Sequence, residues 1–385
     1  MNIAVATAQA DVRMKITVER AELLKALSHM HRVVERRNTI PILSNVLVRA
    51  EKAALHLKAT DLDIEVMEKI AAEVGTGGST TVPAHMFYEI VRKLPEGSQV
   101  MLETSGDRAV LAIRAGRSRF TLQTLPEGDF PDLAAGDMTH KFTLSAAELK
   151  RMIDKTQFAI STEETRYYLN GIYLHAAGTA QAPRLRAVAT DGHRLAQMEL
   201  DLPKGATGMP GIIVPRKTVG EVQRLIEDGD AELTVELSAG KIRFTFDDAV
   251  LTSKLIDGTF PDYARVIPLG NDKELIVDKK EFEAAVDRVS TVSSERGRAV
   301  KLSLNAGKLL LSVTNPDSGS ATEELEVEYE SDPLDIGFNS RYLLDIAAQI
   351  ESEAAMLKLA DPGSPTLIQD KDSRGALYVL MPMRV

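Results

Sequence analysis

Leu185-Arg186-Ala187-Val188-Ala189-Thr190-Asp191 reads as an apolar strand closed by a polar corner. The same phrase occurs twice more, as Leu55-His56-Leu57-Lys58-Ala59-Thr60-Asp61 upstream and Leu309-Leu310-Leu311-Ser312-Val313-Thr314-Asn315 downstream. The corners at 61, 191 and 315 are 130 and 124 residues apart. Two other patterns keep this period. Val82-Pro83 leads into Met86, Phe87, Ile90, Val91 and Leu94, Val214-Pro215 into Val219, Val222, Leu225 and Ile226, and Phe338-Asn339 into Tyr342, Leu343, Ile346 and Ile350. Phe130-Pro131-Asp132 returns as Phe260-Pro261-Asp262. Three features sharing one order and one period predict an internal triplication.

Apolar residues at i, i+3, i+4 and i+7 make each segment of the second pattern an amphipathic helix, with proline expected in its first turn. Each repeat also opens with a helix of that spacing, expected over 21–32, 146–157 and 279–289. Between the helices lie short alternating strands such as Lys241-Ile242-Arg243-Phe244-Thr245-Phe246. A repeat therefore holds two helices and several strands, an α+β unit. Residues 1–13 precede the first repeat, and the remaining 372 residues give 124 per repeat. The domains are expected at 14–135, 136–268 and 269–385, with polar linkers over 132–141 and 267–275. Residues 1–13 are expected to be a disordered or extraneous leader.

Composition narrows the function classes. The 385 residues are 44% hydrophobic and 26% charged, values of an ordinary globular chain. Cysteine and tryptophan are absent and aromatics are 5%, so the core is aliphatic, and disulfides, thiolate metal sites and a cysteine nucleophile are excluded. A cysteine-free chain suits a reducing cytosol. No apolar run has the length of a membrane span, and the first residues lack the basic start of a signal peptide. The net charge of −10 rules out a uniformly basic nucleic-acid binder. It does not rule out charge sorted by face. The six helical windows hold fifteen basic against nine acidic residues, an excess of positive charge on an acidic chain. One cationic surface on an anionic body would attract a polyanion on that side alone.

Catalytic signals are weak. There is no phosphate-cradling glycine loop, no dinucleotide fingerprint and no histidine pair with metal-ligand spacing. Thr190-Asp191-Gly192-His193-Arg194 gathers a hydroxyl, a carboxylate and an imidazole, which would suit a hydrolase using Asp191 and His193. Sequence neighbours rarely converge as a triad does, and Thr60-Asp61 and Thr314-Asn315 occupy the same place in the other repeats, so a structural turn is expected. Arg166-Tyr167-Tyr168-Leu169-Asn170 sets two aromatics beside an arginine, able to stack on bases or pack a sheet. The C-terminus, Tyr378-Val379-Leu380-Met381-Pro382-Met383-Arg384-Val385, is apolar almost to its end. It is expected to run as a strand until Pro382 ends the ladder, with methionines offering an adaptable surface.

Four stretches carry a family resemblance: Arg166-Tyr167-Tyr168-Leu169-Asn170-Gly171, Val188-Ala189-Thr190-Asp191-Gly192-His193-Arg194-Leu195, Ser253-Lys254-Leu255 leading to Phe260-Pro261-Asp262-Tyr263, and the terminal Tyr378-Val379-Leu380-Met381-Pro382-Met383-Arg384. From Met14 to Val385 the chain resembles the bacterial DNA polymerase III beta subunit family, the replicative sliding clamps. The resemblance implies an α+β DNA-clamp fold with three similar domains. It implies a head-to-tail homodimeric ring whose helices line the hole, encircling double-stranded DNA without sequence readout. It further implies a non-catalytic, cytoplasmic and nucleoid-associated subunit of the polymerase holoenzyme, with no cofactor and no membrane. Its partners would be the replicative polymerase alpha subunit, the clamp loader, other DNA polymerases and repair proteins.

Residue by residue, the resemblance implies DNA contacts at Arg37, Tyr167, Tyr168, Arg216 and Lys217. A glutamine used by some members near Tyr167 is Glu163 here, so that contact is not carried over. A partner-peptide pocket between the second and third domains would be lined by Leu169, Thr190, Gly192, His193, Arg194, Leu195, Pro261, Arg265, Val266, Val379, Leu380, Met381, Pro382, Met383 and Arg384. Arg341 stands where the pocket rim is usually small or polar. The ring interface would pair Phe120 of the first domain with Thr291 and Val292 of the third. A peptide-binding scaffold that never meets DNA is the remaining alternative.

Overall fold

The computed structural model describes residues 14–105, 108–133, 136–226, 231–293, 298–372 and 375–385. The leader expected at 1–13 lies outside them. Among the described residues six α-helices form close to where the spacing placed them, the last ending three residues before Ile350: α1 (Arg20–Val33), α2 (Ala84–Lys93), α3 (Ala146–Thr156), α4 (Arg216–Leu225), α5 (Lys279–Ser290) and α6 (Ser340–Ala347). Their starts are chemically explicit. The Glu19 carboxylate accepts from the N–H groups of Ala21 and Glu22, Asp278 from Glu281 N and Asn339 from Arg341 N and Tyr342 N. The prolines sit one place earlier than expected. Pro83 is the cap residue of α2 and Pro215 the last residue of a strand, where the missing N–H costs neither element a bond.

The chain packs as two compact units. One comprises residues up to Ala146 together with Gly220–Lys254, the other Ala147–Val219 with Leu255–Val385. The division runs through the middle repeat, and strand pairing explains why. In the first unit an eight-stranded antiparallel sheet is ordered His140–Ser145, Glu232–Leu237, Lys241–Thr245, Ala249–Lys254, Ile64–Ala71, Ala54–Thr60, Asn45–Glu51, Gly78–Pro83. In the second unit the order is Lys273–Asp278, Ala354–Leu359, Thr366–Asp370, Ala376–Leu380, Arg194–Asp201, Ala182–Thr190, Gly171–Thr179, Ile212–Pro215. Each sheet joins strands of adjacent repeats, and the two have the same order. The second linker is shorter than expected, because the ladder to Leu359 already begins at Lys273.

Each unit has a second sheet. Five strands run from Glu73–Thr76 to an outer strand at Ser118–Gln123, and four run from an outer strand at Gly319–Glu326 to Leu334–Asn339. α1 buries Leu23, Ala26, Leu27, Met30 and Val33, and α5 buries Phe282, Ala285, Val286 and Val289, the faces their periodicity marked. The core is aliphatic apart from a few rings such as Tyr329, Tyr378, Phe87 and Phe338.

Candidate peptide site and nucleic-acid contacts

The corner after Ala182–Thr190 is an Asx turn. Asp191 Oδ1 accepts from the N–H groups of His193 (2.9 Å) and Arg194 (3.0 Å), Thr190 Oγ1 donates to Arg194 O (2.7 Å), and Gly192 N donates back to Thr190 Oγ1 (3.1 Å). Gly192 has φ +88, a conformation that favours glycine, and a Cβ on it would come within 2.5 Å of Arg166 Nη1 and displace that guanidinium. Asp191 meets His193 through the backbone N–H, not the ring, and Thr190 is spent on a carbonyl. This is not the geometry of a nucleophile and its base.

Arg194, named as a pocket residue, is held from every side. Its guanidinium donates to Asp191 Oδ2 (3.1 Å), Asp345 Oδ2 (2.5 Å) and Phe158 O (2.8 Å), and it lies over the rings of Tyr342 (4.3 Å) and Phe158 (5.1 Å). It is a framework cation that orients the turn. The His193 ring, exposed, lies near Tyr342 at 6.3 Å, and Met381 N donates to His193 O, fastening the C-terminal segment to the turn. Arg341 is exposed and precedes Tyr342 in the first turn of α6.

Beside the turn lies an apolar cluster. Leu169, Val188, Leu195, Ile213, Phe260, Tyr263 and Val379 are buried together, with Tyr168, Ile267 and Leu377 partly buried against them. Val379 pairs with Leu195, and Leu380 with Arg194. The strand ends at Leu380, and Met381, Pro382, Met383 and Arg384 follow, the two methionines 39% and 37% exposed. Pro261, Arg265 and Val266, close in sequence to Phe260 and Tyr263, are exposed, Arg265 donating to Asp262. Of the fifteen expected pocket residues, Leu169, Leu195 and Val379 belong to this buried cluster, Leu380 is wholly buried, Arg194 is caged, and Gly192, His193, Pro261, Arg265, Val266, Met381, Met383 and Arg384 are exposed.

Several supports had no sequence signal beyond proximity. Tyr263 is fixed by its hydroxyl, which accepts from Arg186 Nη1 (3.0 Å) and meets His175 Nε2 (2.9 Å). Burial pushes the Tyr263 hydroxyl up and the His175 imidazole down, so both are neutral near pH 7. Phe260 stacks on Tyr173 at 4.8 Å. Arg166 braces the Gly192 turn by donating to Asp191 O and grips Glu163 with two donors (2.8 and 2.6 Å), so Glu163 is held below the usual carboxylate range.

The expected DNA contacts fall into two groups. Tyr167 and Tyr168 sit in the 3-10 segment Glu164–Leu169, just before a strand rather than in one; Tyr167 is 52% exposed and packs edge-on against Tyr168. Arg216, exposed at the start of α4, is held to this segment by its N–H on Asn170 O, and Lys217 follows it. Arg37 is exposed after α1 in the other unit. Many helix cations face a carboxylate: Arg92 and Lys93 share Glu89, Arg224 meets Glu221 and Arg288 meets Glu323. Phe120 is 39% exposed on the outer strand Ser118–Gln123, while Thr291 and Val292 follow α5. Among the described residues no acidic or histidine cluster could hold a metal, and no helix is long and apolar enough to cross a membrane.

Three models of the DNA polymerase III beta subunit match in succession, its N-terminal domain over residues 14–134, its central domain over 143–262 and its C-terminal domain over 264–384. The chain belongs to the DNA polymerase III beta subunit family. The beta sliding clamp of Caulobacter vibrioides is 54% identical over 372 residues, 97% of this chain and all of that one, and that of Escherichia coli 40% over 373. A Bartonella birtlesii sliding clamp solved with griselimycin is 55% identical, with a TM-score of 0.94 over 97% of this chain and all of that one. A Pseudomonas aeruginosa clamp, also with griselimycin, is 40% identical with a TM-score of 0.92 and the same coverage.

Proposed function

We propose that this chain is a sliding clamp. It is a non-catalytic processivity factor that encircles duplex DNA, tethers the replicative polymerase and docks the clamp loader and other DNA enzymes. The observation that carries this reading is the family match in each of the three repeats, in order. Domains at 14–135, 136–268 and 269–385 give a dimer six quasi-equivalent units, closed head to tail into a ring. The two outer strands suit that closure. Ser118–Gln123 follows Arg117 and carries Arg119 and Phe120, whereas Gly319–Glu326 carries Glu323, Glu324 and Glu326, with Thr291 and Val292 at the nearby end of α5. Unpaired edges of opposite charge favour pairing with each other over pairing with themselves.

Arg37, Tyr167, Tyr168, Arg216 and Lys217 meet the DNA through phosphates and stacking, without base readout, so the ring moves along any sequence. Partner peptides dock on the apolar patch of Leu169, Leu195 and Val379. Its lining also includes Thr190, Gly192, His193, Pro261, Arg265, Val266, Met381, Pro382, Met383 and Arg384; Arg194 and Leu380 support it from beneath. Arg341 adds a cation to the rim and favours acidic peptide ends. The setting is the bacterial cytoplasm, at the nucleoid.

The test is topological. Loaded on nicked circular DNA, the ring slides off once the circle is linearised; protein that stays bound, or never loads, contradicts the reading and favours a scaffold. Native mass should be about twice 42.0 kDa.

A further inference from the structure

The patch described above has a second copy in the chain that is not apolar. The two eight-stranded sheets have the same strand order and the same registers, so positions correspond by pairing. Thr190 pairs with Leu195 as Thr60 pairs with Glu65, and Leu195 pairs with Val379 as Glu65 pairs with Thr252. Val188, two residues before Thr190, corresponds to Lys58. Val188, Leu195 and Val379 are all buried in the apolar cluster. Their counterparts are a lysine, a glutamate and a threonine.

These polar residues are organised. Lys58 Nζ lies 3.0 Å from Glu65 Oε2, with side chains only 12% and 6% exposed, and it also pairs with Asp132. Glu65 Oε2 accepts from Leu133 N (3.0 Å). Lys58 lies 6.0 Å from the centre of the Phe130 ring, the counterpart of Phe260. The ion cluster thus fills the surface where the second copy is apolar, and it fastens the segment around Asp132 and Leu133 over it.

We propose that Lys58, Glu65 and Asp132 are specificity-determining residues: a buried Lys58–Glu65 pair, capped from the solvent side by the exposed Asp132, that plugs the first copy of the peptide site and confines partners to one site per protomer. A leucine or aromatic anchor entering there would have to break the Lys58–Glu65 pair and leave a buried charge unpartnered, which the apolar copy never demands. The plug presupposes the peptide-site reading, but its integrity can be measured without a peptide.

Two experiments test it. Griselimycin, which two relatives are named as binding, should titrate the native chain at one molecule per protomer. The variant Lys58→Val/Glu65→Leu/Thr252→Val should gain a second, weaker class of site. A folded, dimeric variant that still binds one molecule overturns the plug, whereas a native chain that binds none overturns the peptide site instead. In the native chain and in Lys58→Met, hydrogen exchange at the Leu133 amide provides the second readout. Removing the lysine should speed exchange at least tenfold by freeing Glu65, and unchanged protection overturns the plug whether or not the triple variant folds.

Discussion

The corners Thr60–Ile64 and Thr190–Arg194 are one turn used for two purposes. Both close with the threonine hydroxyl on the carbonyl four residues on (2.8 and 2.7 Å), and in both the aspartate Oδ1 accepts two successive N–H groups. Both hold a residue at positive φ, Leu62 at +77 and Gly192 at +88. Beyond the backbone they part. The first ends in buried Ile64, the second in a caged arginine; Leu62 is 39% exposed, and Gly192 lies under Arg166. Turn chemistry is local and therefore repeats, whereas what surrounds the turn can diverge without disturbing it. The third corner has diverged further: Asn315 replaces the aspartate, Pro316 follows it, and its side-chain amide donates to Val292 O and Ser318 Oγ.

Six substitutions can break or sharpen this pairing. Arg194→Ala removes a cation with two carboxylate partners and should lower the unfolding free energy by about 2–4 kcal/mol, read as a fall in urea midpoint. A loss below about 0.5 kcal/mol would mean the cage is not structural. Gly192→Ala should cost about 1–3 kcal/mol through its positive φ and the displaced Arg166, and should weaken griselimycin binding in calorimetry. Leu62→Ala should stay within about 0.5 kcal/mol, since a side chain already tolerates that backbone. Equal costs at the two positions would refute the contrast.

Thr60→Val and Thr190→Val should each cost about 1 kcal/mol and match each other, because the hydroxyl does the same work in both. Glu163→Gln should have the smallest effect, a slight fall in Tm at pH 7. The Arg166 hydrogen bonds hold the Glu163 pKa below its unfolded value, so its contribution is full above the ordinary glutamate range and is lost as pH falls through the depressed value. The gap in Tm between the two proteins should therefore be constant from pH 7 to 5 and close in acid, and a gap that widens in acid would exclude this pairing.

Much of the architecture was legible because its signals are short-range. The i, i+3, i+4 spacing marked five helices within a residue or two and the sixth with an end three residues too far, at Ile350 rather than Ala347, and threonine followed by aspartate marked the first two turns. The expected pocket residues came only from the family resemblance. In the chain Leu169, Leu195 and Val379 are far apart, and no periodicity predicts that they are buried together. The caging of Arg194 was illegible for the same reason: Phe158, Tyr342 and Asp345 arrive from other elements.

The linear order of residues determines the helices, the corners and the threefold repetition, since these follow from backbone geometry and hydrogen bonds closed within a few residues. Only tertiary structure decided that the middle repeat gives half its strands to each neighbour, and that equivalent strand positions are apolar in one sheet and ionic in the other. Strand partners nearly two hundred residues apart, as Ile64–Ala71 is from Ala249–Lys254, are selected by complementarity of whole edges and faces. The burial of Lys58 beside Glu65 exists only after those faces have met.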